Sequence, residues 1–188
     1  MKNKSKQTGD VLDRAINGDE EAFSALYKEN VKKIYNYIFY RTGNIHDAED
    51  LTARVFQRAL KHITRYKKTK VPFSAWLYRI AHNLVANWYR DNNKHKRELP
   101  LEDHSYIKSG VEIPEKHVEK QQEVESLLDG IHLLPGDRQQ LLILKYAENM
   151  SNKEIGLIMG RSEGAIKSLY HRTLKELRRY IIEKSDKV

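Results

Sequence analysis

Two groups of side chains in this sequence are of the types that hold nucleic acid. Tyr78, Arg79, His82, Asn83, Asn87 and Arg90 form the first, and Lys167, Ser168, His171, Arg172 and Lys175 the second. Guanidinium and ammonium groups suit phosphate, while amide, hydroxyl and imidazole groups suit the edges of bases. The first group lies in Arg58–Glu98, where eleven lysines and arginines stand against two acidic residues, enough to account for the whole chain's net charge of +8. Tyr66, Phe73, Trp76, Tyr78, Trp88 and Tyr89 are interleaved with those cations. Basic grooves that follow a backbone and aromatic faces that stack on bases are the means of binding single strands.

Other chemistry is poorly represented. With no cysteine, disulfides and thiolate metal sites are excluded, and a reducing compartment fits. The eight histidines are scattered, with no pair or carboxylate cluster at metal-ligand spacing. There is no nucleophile set beside a base and no phosphate-cradling glycine loop, so neither an enzyme nor a cofactor or metal is expected. The basic N-terminus is followed by no apolar run, which gives neither a signal peptide nor a membrane anchor. A cytoplasmic, nucleoid-associated protein with an acidic polymer as partner is expected from a pI of about 9.4.

The elements that must position these groups are helices. Only four prolines and nine glycines interrupt 188 residues, and apolar residues recur at helical spacing, so the fold class is all-α. A helix from Asp10 to Asn17 is followed by a second capped by Asp19, whose Ala22, Phe23, Leu26 and Tyr27 share a face and whose pattern extends to Gly43. A third begins near His46 with Asp47, Glu49 and Asp50 in its first turn, where the helix dipole favours anions. Its core stripe is Ala48, Leu51, Val55, Ala59 and Ile63. Arg65, Lys67, Lys68 and Lys70 then fall in a basic loop that ends at Pro72. A fourth helix, Phe73 to about Asn93, carries Phe73, Trp76, Leu77, Ile80, Ala81, Leu84, Val85 and Trp88 as a stripe, with the first polar group opposite.

Residues 99–118 are polar, contain Pro100, Gly110 and Pro114, and read as a flexible linker between two small helical domains at 10–98 and 119–184. The second domain starts with a helix through Val124, Leu127, Leu128 and Ile131. It breaks at Pro135-Gly136 and resumes with Leu141, Leu142, Leu144 and Tyr146. Ser151 and Glu154 form a capping box, Gly160 ends that helix, and Ser162 caps the next. Two helices joined by a short glycine-containing turn make a helix-turn-helix. Ile166, Leu169, Thr173, Leu177 and Ile181 should face inward, leaving the second polar group outward for a major groove.

Three segments, DAEDLTARVFQRAL (47–60), PFSAWLYRIAHNLVANWYRD (72–91) and LLPGDRQQLLILKYAENMSNKEIGLIMGRSEGAIKSLYHRTLKELR (133–178), resemble in sequence, order and separation the extracytoplasmic-function (ECF) sigma factors of the sigma-70 family. The resemblance implies sigma region 2, which binds core RNA polymerase and melts the minus-ten element, and sigma region 4, which reads the minus-thirty-five element as duplex. It implies that Asp47, Glu49, Asp50 and Gln57 dock on the polymerase clamp. It implies that Arg65, Lys67, Lys68, Arg79 and Arg90 hold the melted strand, that Asn83 and Asn87 read an extruded base, and that Phe73 or Tyr78 walls it. Trp76 and Trp88 are assigned to the core. On duplex DNA, Lys145, Ser162, Lys167, Ser168, His171 and Arg172 are the implied contacts. Promoter DNA and core polymerase are then the partners, with an anti-sigma factor as regulator and no membrane insertion. Ala53-Arg54 stands where the family commonly has Gln-Glu, and Leu169 where it often has Arg.

Two other readings use the same residues. A stand-alone helix-turn-helix regulator leaves the fourth helix unexplained, and a nucleic-acid-processing enzyme lacks catalytic groups.

Overall fold

The computed structural model describes residues 10–66, 71–98 and 130–185, with the side chains at 93–98 and 183–185 outside the description. The expected linker at 99–118 lies outside it, as do Lys67, Lys68 and Lys70. The chain divides into two compact units, Met1–Asp103 and His104–Val188. All regular structure among the described residues is helical.

In the first unit, α1 covers residues 10–16. The Asp19 carboxylate then accepts the Ala22 N–H at 3.0 Å and starts α2, Glu20–Thr42. That bond, with the Arg14 ion pair at 2.6 Å, holds the Asp19 carboxyl below its ordinary range. Gly43 closes α2, and its N–H bonds the Phe39 carbonyl at 2.8 Å. Asn44 caps α3, Ile45–His62, by accepting the Asp47 N–H at 3.1 Å. A 3-10 turn, Ile63–Arg65, follows, and then α4, Phe73–Glu98.

Helices α2, α3 and α4 pack mutually. The expected α3 stripe, Ala48, Leu51, Val55, Ala59 and Ile63, is buried throughout, against Leu26, Ile34 and Ile38 of the core and Leu77, Ala81, Leu84 and Val85 of α4. Such a core is mainly hydrophobic in origin, at roughly 1.5–3 kcal/mol for each large aliphatic side chain buried. Helix α4 continues five residues beyond the Asn93 expected from periodicity.

In the second unit, the described end of α5 is residues 130–133. Gln139 closes that end, its amide donating to the His132 and Leu134 carbonyls at 3.0 and 2.8 Å. Orphan carbonyls at a helix end need such donors. Helix α6, Gly136–Leu142, runs on into a π-helical turn at Ile143–Ala147, where the Glu148 N–H reaches the Ile143 carbonyl at 3.2 Å. The wider turn shifts the register. Leu141, Leu142 and Leu144 are buried as expected, but Tyr146 is 59% exposed rather than on the apolar stripe. Its hydroxyl instead bonds that of Tyr170.

Helix α7, Asn152–Met159, carries the full capping box: the Glu154 N–H donates to the Ser151 hydroxyl, and Glu154 accepts the Ser151 N–H at 2.8 Å. The Ser151 hydroxyl, donating to the Glu154 carboxylate at 2.7 Å, and the Ser151 N–H beside it hold that carboxyl below its ordinary range. Gly160 ends α7 at φ 67°, a conformation costly for other residues, and α8 spans Glu163–Ser185.

Gly156, which carries no sequence signal of its own, sets how closely that turn approaches α7. A Cβ there would stand 2.6 Å from the Arg161 carbonyl oxygen, while the Arg161 N–H bonds the Gly156 carbonyl at 2.9 Å. Gly156→Ala should therefore destabilise this unit by about 1–3 kcal/mol, because backbone must move to relieve the overlap. Gly164→Ala, in open space, should cause no loss. Denaturation midpoints of the two variants check this.

Candidate nucleic-acid interfaces

Helix α4 is covered by two helices, and that decides which of its residues face outward. Tyr78, expected on the polar face, is wholly buried, its ring edge-on to Tyr37 of α2 with centroids 5.4 Å apart. Phe73 is buried too, against Tyr66 and Trp76 at 5.7 and 5.6 Å. Neither offers a ring to a base, which corrects their assignment as a wall. An amphipathic stripe drawn for one neighbour is too narrow where α2 and α3 both bury surface. Trp76 and Trp88, assigned to the core, are each half-buried.

Outward remain Arg79, Asn83 and Arg90, exposed, and Asn87, half-exposed. Their spacing aligns them along one face over about three turns. His82 borders the row and meets the Tyr37 hydroxyl at 3.5 Å. Beneath lies a buried polar cluster. Arg41, 2% exposed, donates to the Tyr37 hydroxyl at 3.3 Å and lies over the Tyr89 ring, while the Tyr89 hydroxyl donates to the Arg41 carbonyl. Burial pushes the Tyr37 hydroxyl up to about 12, so it stays protonated at any ordinary pH. Arg65 is exposed in the 3-10 turn, and the Tyr66 hydroxyl donates to the Val71 carbonyl at 3.1 Å across the basic segment.

On α3, Glu49, Asp50 and Gln57 are exposed, as a docking face requires. Asp50 pairs with Arg54 at 3.5 Å, an exposed contact contributing at most about 1 kcal/mol. Asp47 differs. It is half-buried, and its carboxylate accepts the Trp88 indole N–H at 3.1 Å. The bond ties the start of α3 to α4 across 41 residues, a link that no local spacing announces.

In the second unit, Lys167, Ser168, His171 and Arg172 project from the N-terminal half of α8 and are exposed, as expected for a helix entering a groove. Lys167 pairs with Glu163 at 3.1 Å, and Arg172 Nε donates to the Ser168 carbonyl at 3.3 Å. The Ser162 hydroxyl accepts the Ala165 N–H at 3.2 Å, confirming its cap. Lys145, on the π turn, is half-buried and bonds Asn152 Oδ1 at 3.1 Å. Leu169, expected to face inward, is 4% exposed and belongs to the core with Ile166 and Thr173.

The family models for Sigma-70 region 2 and Sigma-70, region 4 match residues 26–95 and 125–177. The ECF RNA polymerase sigma factor BldN of Streptomyces coelicolor is 33% identical over 92% of this chain, which spans 65% of that relative's length. SigW of Bacillus subtilis, also an ECF RNA polymerase sigma factor, is 31% identical over 87% of this chain and 91% of its own. Among solved structures, CnrH, in complex with the cytosolic domain of CnrY, has a similar fold, with a TM-score of 0.67, 17% identity, and coverage of 92% of this chain and 96% of that one.

Proposed function

The chain belongs to the ECF RNA polymerase sigma factors of the sigma-70 family, and from that membership we propose that it binds core RNA polymerase and directs transcription initiation at its own class of promoter. The observation that carries this reading is the presence, on separate units, of two exposed rows suited to different states of DNA. A stand-alone operator-binding protein needs only the helix-turn-helix.

The first row suits unpaired bases. Extruding a base costs a few kcal/mol, which stacking and hydrogen bonds must offset. Carboxamides at Asn83 and Asn87 present a donor and an acceptor to a base edge, while Arg79 and Arg90 meet the strand's phosphates. The second row suits duplex. The N-terminal half of α8 enters the major groove of the minus-thirty-five element, with Lys167, Ser168, His171 and Arg172 at the base edges and Lys145 near the backbone.

Glu49, Asp50 and Gln57 form the polymerase-docking face, where charge complementarity speeds association and fixes register. Asp47 supports that face through its bond to Trp88. An anti-sigma factor belongs among the partners on the same family ground. The chain itself makes and breaks no covalent bond in this reading. No helix among the described residues is long and apolar enough to cross a membrane.

The test is reconstitution. Mixed with core polymerase and a randomised promoter library, the protein should yield run-off transcripts and permanganate-reactive thymines near their starts. No transcript from any library member would overturn the reading. Arg172→Ala in the same holoenzyme should weaken binding to the selected minus-thirty-five duplex by about 1–3 kcal/mol and relax preference at one base pair. Competition between cognate and single-mismatch duplexes measures both effects.

A further inference from the structure

The π turn at Ile143–Ala147 is tied to both helices of the helix-turn-helix by two successive residues. Lys145 bonds Oδ1 of Asn152, the first residue of α7, at 3.1 Å, and the Tyr146 hydroxyl shares a hydrogen bond with that of Tyr170 on α8. In an unbroken helix Tyr146 would follow Leu142 by four residues and turn inward with it. The extra residue of the π turn carries it out to the surface instead, its ring centroid 6.4 Å from that of Tyr170 and the two planes 40° apart. Turns of this kind are rare and recur at functional sites.

Tyr170 stands beside a proposed base reader. Its ring packs on the cluster of Leu134, Leu142 and Leu177 and also meets the His171 imidazole edge-on, with centroids 5.9 Å apart. Lys167 and Arg172 are each held by α8 itself, one turn back, at the Glu163 carboxylate and the Ser168 carbonyl. Among the described residues the His171 imidazole makes no hydrogen bond or ion pair, so its orientation depends on the Tyr170 ring. The position of that ring depends in turn on the bond at its tip.

We propose that Tyr146 is a specificity-determining positioning residue: through Tyr170 it holds the His171 imidazole in the orientation that reads its base pair. The proposal rests on the duplex reading assigned above to α8. In the free protein, water competes for the two exposed hydroxyls, and their bond adds little to folding. Duplex lying over this face excludes that water, and a hydrogen bond in drier surroundings is stronger. A neutral hydrogen bond corresponds to roughly 2- to 12-fold in an equilibrium constant, so its loss should show as lost discrimination and not as lost stability.

In reconstituted holoenzyme, competition between the selected minus-thirty-five duplex and each of its single-mismatch versions resolves discrimination position by position. His171→Ala identifies the base pair that His171 reads. Tyr146→Phe and Tyr170→Phe, which keep both rings, should each lower discrimination at that pair by about 2- to 10-fold and nowhere else, and the double variant should be no worse than either. Adding Tyr146→Phe to His171→Ala should change nothing further. Thermal melting should stay unchanged, since Tyr146 is 59% exposed and loses only its hydroxyl.

Unchanged discrimination in both phenylalanine variants would overturn the proposal. So would a loss spread evenly over all positions, or an undiminished effect of Tyr146→Phe in the His171→Ala background. If His171→Ala relaxes no base pair although wild type discriminates, the base-reading role of His171 fails and takes the proposal with it.

Discussion

Replacing Asn83 by alanine should slow promoter opening by roughly 5- to 150-fold while changing closed-complex affinity less than twofold. The range follows from the 1–3 kcal/mol at stake when a bidentate contact to a base edge is lost, at tenfold per 1.36 kcal/mol. The side chain is exposed on α4, one turn beyond Arg79, so its removal leaves no cavity and folding stability should hold. Only after extrusion is the base edge available to the carboxamide, which places the interaction in the opening step. Permanganate reactivity followed in time, beside filter binding at a temperature that prevents melting, separates the two quantities. Equal losses in both would mean that Asn83 touches duplex and does not capture an unpaired base.

The second expected result concerns Asp47 and Trp88. Asp47→Ala and Trp88→Phe should each impair transcription by about tenfold or more, and the double variant should be no worse than the more damaging single one. A hydrogen bond to a charged partner contributes about 1.5–3 kcal/mol, and this one joins α3, which carries the proposed docking face, to α4, which carries the proposed melting row. Asp47→Asn is the decisive variant, since its amide oxygen can still accept the indole N–H while the charge is gone. Near-normal polymerase affinity and opening for Asp47→Asn would assign the residue to positioning. Were Asp47 instead a charged contact to the clamp, Asp47→Asn would lose polymerase affinity as fully as Asp47→Ala, with Trp88→Phe unaffected. A double-mutant cycle on polymerase affinity and opening rate measures the coupling.

How much of this was legible beforehand depended on whether the determining contacts were local. The α3 stripe, the caps at Asp19, Ser151 and Ser162, and the end of α2 at Gly43 rest on residues within a turn or two of one another, and each stands where periodicity and capping placed it. The inward positions Ile166, Leu169, Thr173 and Leu177 of α8 hold for the same reason.

Tyr78 failed for a tertiary reason: two packed helices widen the buried arc of α4, and a tyrosine beside the polar row turns under α2. Tyr146 failed because a π turn adds a residue to one turn of helix, and nothing in Ile143–Ala147 signals it. The Asp47–Trp88 bond joins residues far apart in sequence, and the Gly156–Arg161 approach is a backbone fact that no side-chain pattern records. Of the candidate sites, the exposed cations and amides were legible as residue types at helical spacing; which rings supported them was not.

The junction at Gly156 has a consequence for how promoter preference changes over evolutionary time. The angle at which α8 leaves α7 is set by main-chain atoms, the Arg161 N–H and carbonyl against a residue that has only hydrogen for a side chain. Lys167, Ser168, His171 and Arg172 take no part in that junction. With these four as the proposed base readers, a lineage can therefore exchange them one at a time and keep the mount unchanged. New promoter dialects then arise by substitutions that cost folding almost nothing, while the glycine beneath them is not free to vary.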